Sequence, residues 1–186
     1  MYTIDFVFGA VMTRSYSLVD GFIDAFDQWN PIVAAPLLRL QIDSLVRTSY
    51  IARAPMADSV AHEILGGGEF RKMKDSEGKR LSDYRLVELA TPYHPWVPAV
   101  YESTSGWVHF SPDLVAAAWQ GSEENGRLKF AGGVPLRPEQ IPAKALQELI
   151  GAMVKGTEEL FGYSEAWEAR KGLPLGQTRP LDEEDA

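Results

Sequence analysis

The stretch PLLRLQIDSLVRTSYI, residues 36–51, decides the fold. Leu38, Ile42 and Leu45, joined by Ala34 and Val46, recur at three- and four-residue steps, which is the period of an amphipathic helix. Arg39, Asp43 and Arg47 follow at i, i+4 and i+8 on the flank of that apolar face. Side chains at such steps stack one above another, so the trio forms a polar ladder beside a core-facing stripe. A second ladder lies in VYESTSGWVHFS, residues 100–111, where Tyr101, Ser105 and His109 repeat the spacing. Two such helices packed together would bring cations, a carboxylate and a histidine into one cleft.

Working outward, Ile4, Val7, Phe8, Val11, Leu18, Val19, Phe22 and Phe26 predict one long helix over about 3–28. Asn30-Pro31 supplies an N-cap and a first-turn proline for the next helix, which runs to about Arg53. Pro36 lies deep for a first turn, so that helix either starts later or kinks there. The short connection makes the pair an antiparallel hairpin. A small helix over about 56–65 is stopped by Gly66-Gly67-Gly68. A mobile charged stretch then leads to a helix capped by Ser82 or Asp83 and ended near Thr91-Pro92. Pro95 and Pro98 open the helix of the second ladder. Leu114 to Gln120 and Arg127 to Ala131 read as a β-hairpin around GSEENG, with Trp119 and Phe130 as a cross-strand pair. Pro142 starts a last long helix to about Lys171. The expected architecture is mainly α: one helical-bundle domain over 1–171 with a small hairpin insertion at about 114–131. An acidic, disordered tail is expected over 172–186.

The 186 residues suffice for one domain with a sizeable core. A content of 45% hydrophobic and 24% charged residues is that of an ordinary globular protein. No run approaches the roughly 20 apolar residues needed to cross a bilayer, so no membrane partner is expected. The apolar start is broken by Asp5 and reads as core helix rather than signal peptide. The absence of cysteine excludes disulfide and thiolate chemistry and fits a cytoplasmic location. A net charge of −8 argues against a generic DNA-coating protein. Half of that charge comes from Asp182, Glu183, Glu184 and Asp185. The stretch from Arg71 to Arg80 is locally cationic, and Lys72 and Lys74 are its candidate substrate-binding residues.

Candidate chemistry follows from residue type. Asp43, set between Arg39 and Arg47, is stabilised as an anion and can orient either guanidinium. As an ordinary surface ladder each pair would contribute only about 0.2–0.5 kcal/mol. His109, one of three histidines, can move a proton near neutrality. Ser105 one turn earlier could fix its ring, and Tyr101 could donate to an anion. No nucleophile elbow surrounds Ser105. His62-Glu63 lacks the second histidine of a zinc-protease helix, so no metal is expected. The triple glycine lacks the Gly-Lys-Ser/Thr ending of a phosphate loop, no dinucleotide fingerprint occurs, and no cofactor is expected.

NPIVAAPLLRLQID, followed about sixty residues later by YESTSGWVH, resembles the HEPN-like group of uncharacterised bacterial proteins. Asn30, Ala34, Ala35, Leu38 and Arg39 match the pattern of its first helix, with Asp43 at the acidic position. Tyr101, Ser105 and His109 match the pattern of its second. The resemblance covers roughly residues 14–165. It implies an antiparallel helical bundle, often a homodimer, related to metal-independent endoribonucleases of toxin–antitoxin and phage-defence systems. The usual Arg-to-His catalytic signature on one helix is missing, because positions 102, 103 and 104 are Glu, Ser and Thr.

Two functions follow as expectations. One is a non-catalytic module that binds a protein partner or RNA. The alternative is a metal-independent endoribonuclease, with His109 exchanging protons, Arg39 and Arg47 stabilising the phosphorane, and Asp43 orienting them.

Overall fold

The computed structural model describes residues 2–108, 119–124, 127–132 and 143–170. Six α-helices occur among them: α1 (Thr3–Asp27), α2 (Pro31–Arg53), α3 (Ala57–Leu65), α4 (Asp83–Ala90), α5 (Val97–Val108) and α6 (Ala143–Arg170). The chain is mainly helical, as the apolar periodicity requires. Two strands, β1 (Trp119–Glu124) and β2 (Arg127–Gly132), pair antiparallel between α5 and α6. Their register sets Gly132, not Phe130, opposite Trp119, and Phe130 opposite Gly121. The expected Trp119–Phe130 pair is displaced because the ladder continues through Gly121–Glu124, where the composition GSEENG suggests a loop. Residues 114–118 and the tail 172–186 lie outside the described residues.

α1 and α2 form the expected hairpin. The Asn30 N–H reaches the Ala25 carbonyl at 2.8 Å, and the Trp29 N–H reaches that of Phe26 at 2.9 Å. This closes the helix end in a Schellman arrangement, with Trp29 at φ 54° where glycine is usual. Phe26 stacks on Trp29 with ring centroids 6.4 Å apart. Asn30 occupies the N-cap of α2, but its side chain makes no capping bond. Pro36 is accommodated inside the helix rather than delaying its start.

α2 is the hub, packing against α1, α3, α4, α5 and α6. Ala34, Leu38, Ile42, Leu45 and Val46 are buried at its centre, meeting Phe22 of α1, Leu86 of α4, Val97 of α5 and Met153 and Leu160 of α6. Burying each such aliphatic side chain is worth about 1.5–3 kcal/mol, so this stripe fixes the order of the bundle. A second cluster of Ile4, Val7, Phe8, Ile51 and Ala61 joins α1, α2 and α3. The indole of Trp167 closes over it, donating to Asp5 at 2.6 Å. No helix among the described residues is long and apolar enough to cross a membrane.

The triple glycine ends α3 as a second Schellman turn. The Gly68 N–H bonds the Glu63 carbonyl at 2.8 Å and the Gly67 N–H bonds that of Ile64 at 3.0 Å. Gly67 takes φ +91°, and a Cβ on Gly68 would lie 2.7 Å from the Glu63 carbonyl oxygen. The charged segment that follows is pinned, contrary to the mobile connector expected there. Lys74 and Arg80 form a β-bridge, the Leu81 N–H bonds the Met73 carbonyl at 3.0 Å, and both Met73 and Leu81 are buried.

Candidate functional site

α2 and α5 pack side by side, and their polar edges meet. The Arg39 guanidinium carbon lies 3.2 Å from the centre of the Tyr101 ring. Both residues are half-buried. Among the described residues, Arg39 has no carboxylate partner and the Tyr101 hydroxyl has no hydrogen-bond partner. A guanidinium flat on an aromatic face keeps its N–H edge open, so this pair leaves donors for an anion. Burial raises the Tyr101 pKa, and the adjacent Arg39 opposes the rise; the phenol is therefore held in its protonated, donating form.

Two turns along α2, Arg47 is closed. Its Nε donates to Asp43 at 2.8 Å and its Nη2 to Asp83 of α4 at 2.7 Å. The Phe70 ring covers it, with the guanidinium carbon 5.1 Å from the ring centre. Burial disfavours the Arg47 charge, but hydrogen bonds and proximity to Asp43 and Asp83 outweigh it and raise its pKa. Among the described residues Asp43 thus orients Arg47, one of the two arginines it is set between, while Arg39 turns to the tyrosine on α5.

The remaining expected site residues separate. The Ser105 hydroxyl donates to the Tyr101 carbonyl at 2.6 Å, satisfying itself within its own helix. Lys72 pairs with Glu69 inside its short 3₁₀ turn. Lys74 is exposed in the bridge with Arg80. His109 lies outside the described residues. His62 is exposed on α3, while Asp58 accepts the Ile4 N–H at 3.3 Å, tying α3 to the start of α1. Among the described residues no group of three or more His, Asp or Glu is arranged to hold a metal.

The segment carrying Lys72 and Lys74 is held by Arg85. This guanidinium, 9% exposed, donates from Nε to Asp75 at 2.7 Å and from Nη1 to Glu88 at 2.8 Å, and Nη2 pairs with Glu77 at 3.1 Å. The other Asp75 oxygen accepts the Glu77 and Lys79 backbone N–H groups, each at 2.9 Å. Burial works against the Asp75 charge, but the bonds from Arg85, Lys79 and Glu77 prevail and lower its pKa.

A third cluster escaped the sequence reading. His94, 5% exposed in the turn before α5, donates from Nδ1 to Glu159 at 2.6 Å; a carboxylate can only accept, so that nitrogen carries the proton. Its Nε2 is 2.7 Å from the Tyr163 hydroxyl, which is bonded to Ser49 at 2.8 Å and accepts from Arg53 at 2.9 Å. The Trp96 indole donates to both Glu159 oxygens at 3.0 Å, and Arg53 lies 3.2 Å over the Tyr93 ring. With three polar partners already around it, the Tyr163 oxygen has no capacity left for a substrate. The network ties α2, α6 and the turn before α5 together. Its signals in the sequence are two i,i+4 pairs, Ser49/Arg53 and Glu159/Tyr163, and a histidine bracketed by Pro92 and Pro95.

Comparison with protein-family models, curated proteins and solved structures finds no match for the chain.

Proposed function

We propose that this chain is a HEPN-like, non-catalytic interaction module, homodimeric and cytoplasmic, serving a toxin–antitoxin or phage-defence system. Its recognition point is the Arg39–Tyr101 pair, which takes an anionic group of a protein partner or RNA. The observation that carries this reading is the unequal fate of the two arginines. Arg47 is consumed by Asp43 and Asp83, while Arg39 rests on Tyr101 with no carboxylate on its N–H edge among the described residues. Charge developing in a phosphoryl transfer is stabilised by preorganised cations, and with Arg47 already paired that stabilisation is weakened, whereas one open donor edge beside a phenol suits recognition of a single anion. Context and dimerisation rest on the motif resemblance of α2 and α5.

The second reading, a metal-independent endoribonuclease, draws on the same open edge of Arg39 with His109 as the proton carrier. The two are separated by incubating the protein with single-stranded RNA in EDTA beside His109→Ala and Arg39→Ala. Intact RNA in all three is expected. Cleavage by the parent protein that both substitutions abolish would establish the ribonuclease and remove the module.

A further inference from the structure

The outer face of α1 is unexplained by the fold. Phe6, Gly9, Thr13, Tyr16, Asp20, Ile23 and Asp27 follow one another at three- and four-residue steps, and Asp24 flanks them. All are exposed; Tyr16 is 73% and Ile23 52% open to solvent. Large apolar groups aligned with charge on one helix face mark an interaction surface more often than isolated exposed residues do. Gly9 adds to this, since a Cβ there would meet nothing within 4 Å. A mid-helix glycine weakens a helix, and no contact among the described residues requires this one.

The charge says what covers the face. Asp20, Asp24 and Asp27 stand in the C-terminal half of α1, at the negative end of its dipole, and the last turn carries no basic residue. Among the described residues no cation pairs with any of the three. Asp24 and Asp27, in the last turn, oppose the helix they sit in, and a cationic partner would relieve them and Asp20 at once. We infer that the outer face of α1 docks a basic amphipathic helix of a partner protein, its apolar side chains meeting Tyr16 and Ile23 and its lysines or arginines meeting Asp20, Asp24 and Asp27. This surface is on a different helix from the Arg39–Tyr101 pair and does not depend on it.

The test uses the full chain and a synthetic Leu/Lys peptide of about 18 residues, ~27 Å long as a helix, with its lysines on one face. A peptide of the same composition in scrambled order is the control. Calorimetric titration should show binding of the amphipathic peptide that exceeds the control. It should weaken roughly tenfold when Asp20, Asp24 and Asp27 are all changed to Asn, and comparably in Tyr16→Ala/Ile23→Ser. Every substituted side chain is exposed, and circular dichroism verifies that the helices persist. Equal affinity for both peptides, or unchanged affinity in the variants, overturns the inference. So does self-association in sedimentation that Ile23→Lys abolishes, because the occupant would then be a second copy.

Discussion

The Tyr163 hydroxyl stands 2.7 Å from His94 Nε2, joining the last helix to the turn that launches α5. Because α5 carries Tyr101, this bond helps to place the aromatic face on which Arg39 rests. His94→Ala should destabilise the protein by about 1–2 kcal/mol, the cost of leaving half-buried polar partners unmatched. Tyr163→Phe should cost less, ~1 kcal/mol, since Arg53 is exposed and can turn to water. Free energies from urea denaturation check both, and a loss in His94→Ala below half of the first figure would mean that the network is slack.

Acid should release the Lys72–Lys74 segment before the bundle unfolds. Hydrogen bonds to Lys79 and Arg85 lower the Glu77 pKa, and Asp75 is lowered against its burial. A depressed folded pKa stabilises above the unfolded value and is lost as pH falls through the folded one. Protection of the Glu77 and Lys79 amides, both bonded to Asp75, should therefore hold at neutrality, persist through the ordinary carboxylate range and fail only below it. Amide exchange followed by NMR from pH 7 downward reads this directly. Loss of both protections in Asp75→Ala at pH 7 is the accompanying expectation.

The two glycines that end α3 should differ in what a methyl group does. At Gly67 the added Cβ meets nothing, so Gly67→Ala should cost about 1 kcal/mol, from the positive φ alone. At Gly68 the Cβ would lie 2.7 Å from the Glu63 carbonyl oxygen, and the backbone itself must shift. Gly68→Ala should be the more damaging of the pair in thermal melts, and the reverse order would contradict the Schellman geometry.

Much of this architecture is legible in local spacing. The apolar stripes of α1, α2 and α6 set those helices within a residue or two, because burial of one face governs each of them, and stop and cap signals set α3 and α4 as closely. The glycine stop after Leu65 and the Ser82 cap, which accepts the Arg85 N–H at 3.2 Å, are equally local. The site is legible only in outline. Helix spacing brings Arg39 and Tyr101 to facing edges, yet it cannot say that Arg39 chooses the ring over Asp43, since both choices satisfy an i,i+4 ladder. His94 is hidden for another reason. Its partners Glu159 and Tyr163 lie 65 and 69 residues away, so only the tertiary packing of α6 on α2 assembles the cluster. The pinned segment after Gly68 was missed similarly: its composition is that of a solvated loop, and one buried arginine, Arg85, overrides it.

The account depends on Arg39 and Tyr101 forming a real contact between α2 and α5, and a double-mutant cycle tests that most directly. Denaturation free energies of Arg39→Ala, Tyr101→Ala and the double variant should be non-additive, with a coupling of about 0.5–2 kcal/mol for a partly desolvated cation–π pair. Additive losses, with no coupling outside error, would contradict it and leave the two polar edges as neighbours that do not interact.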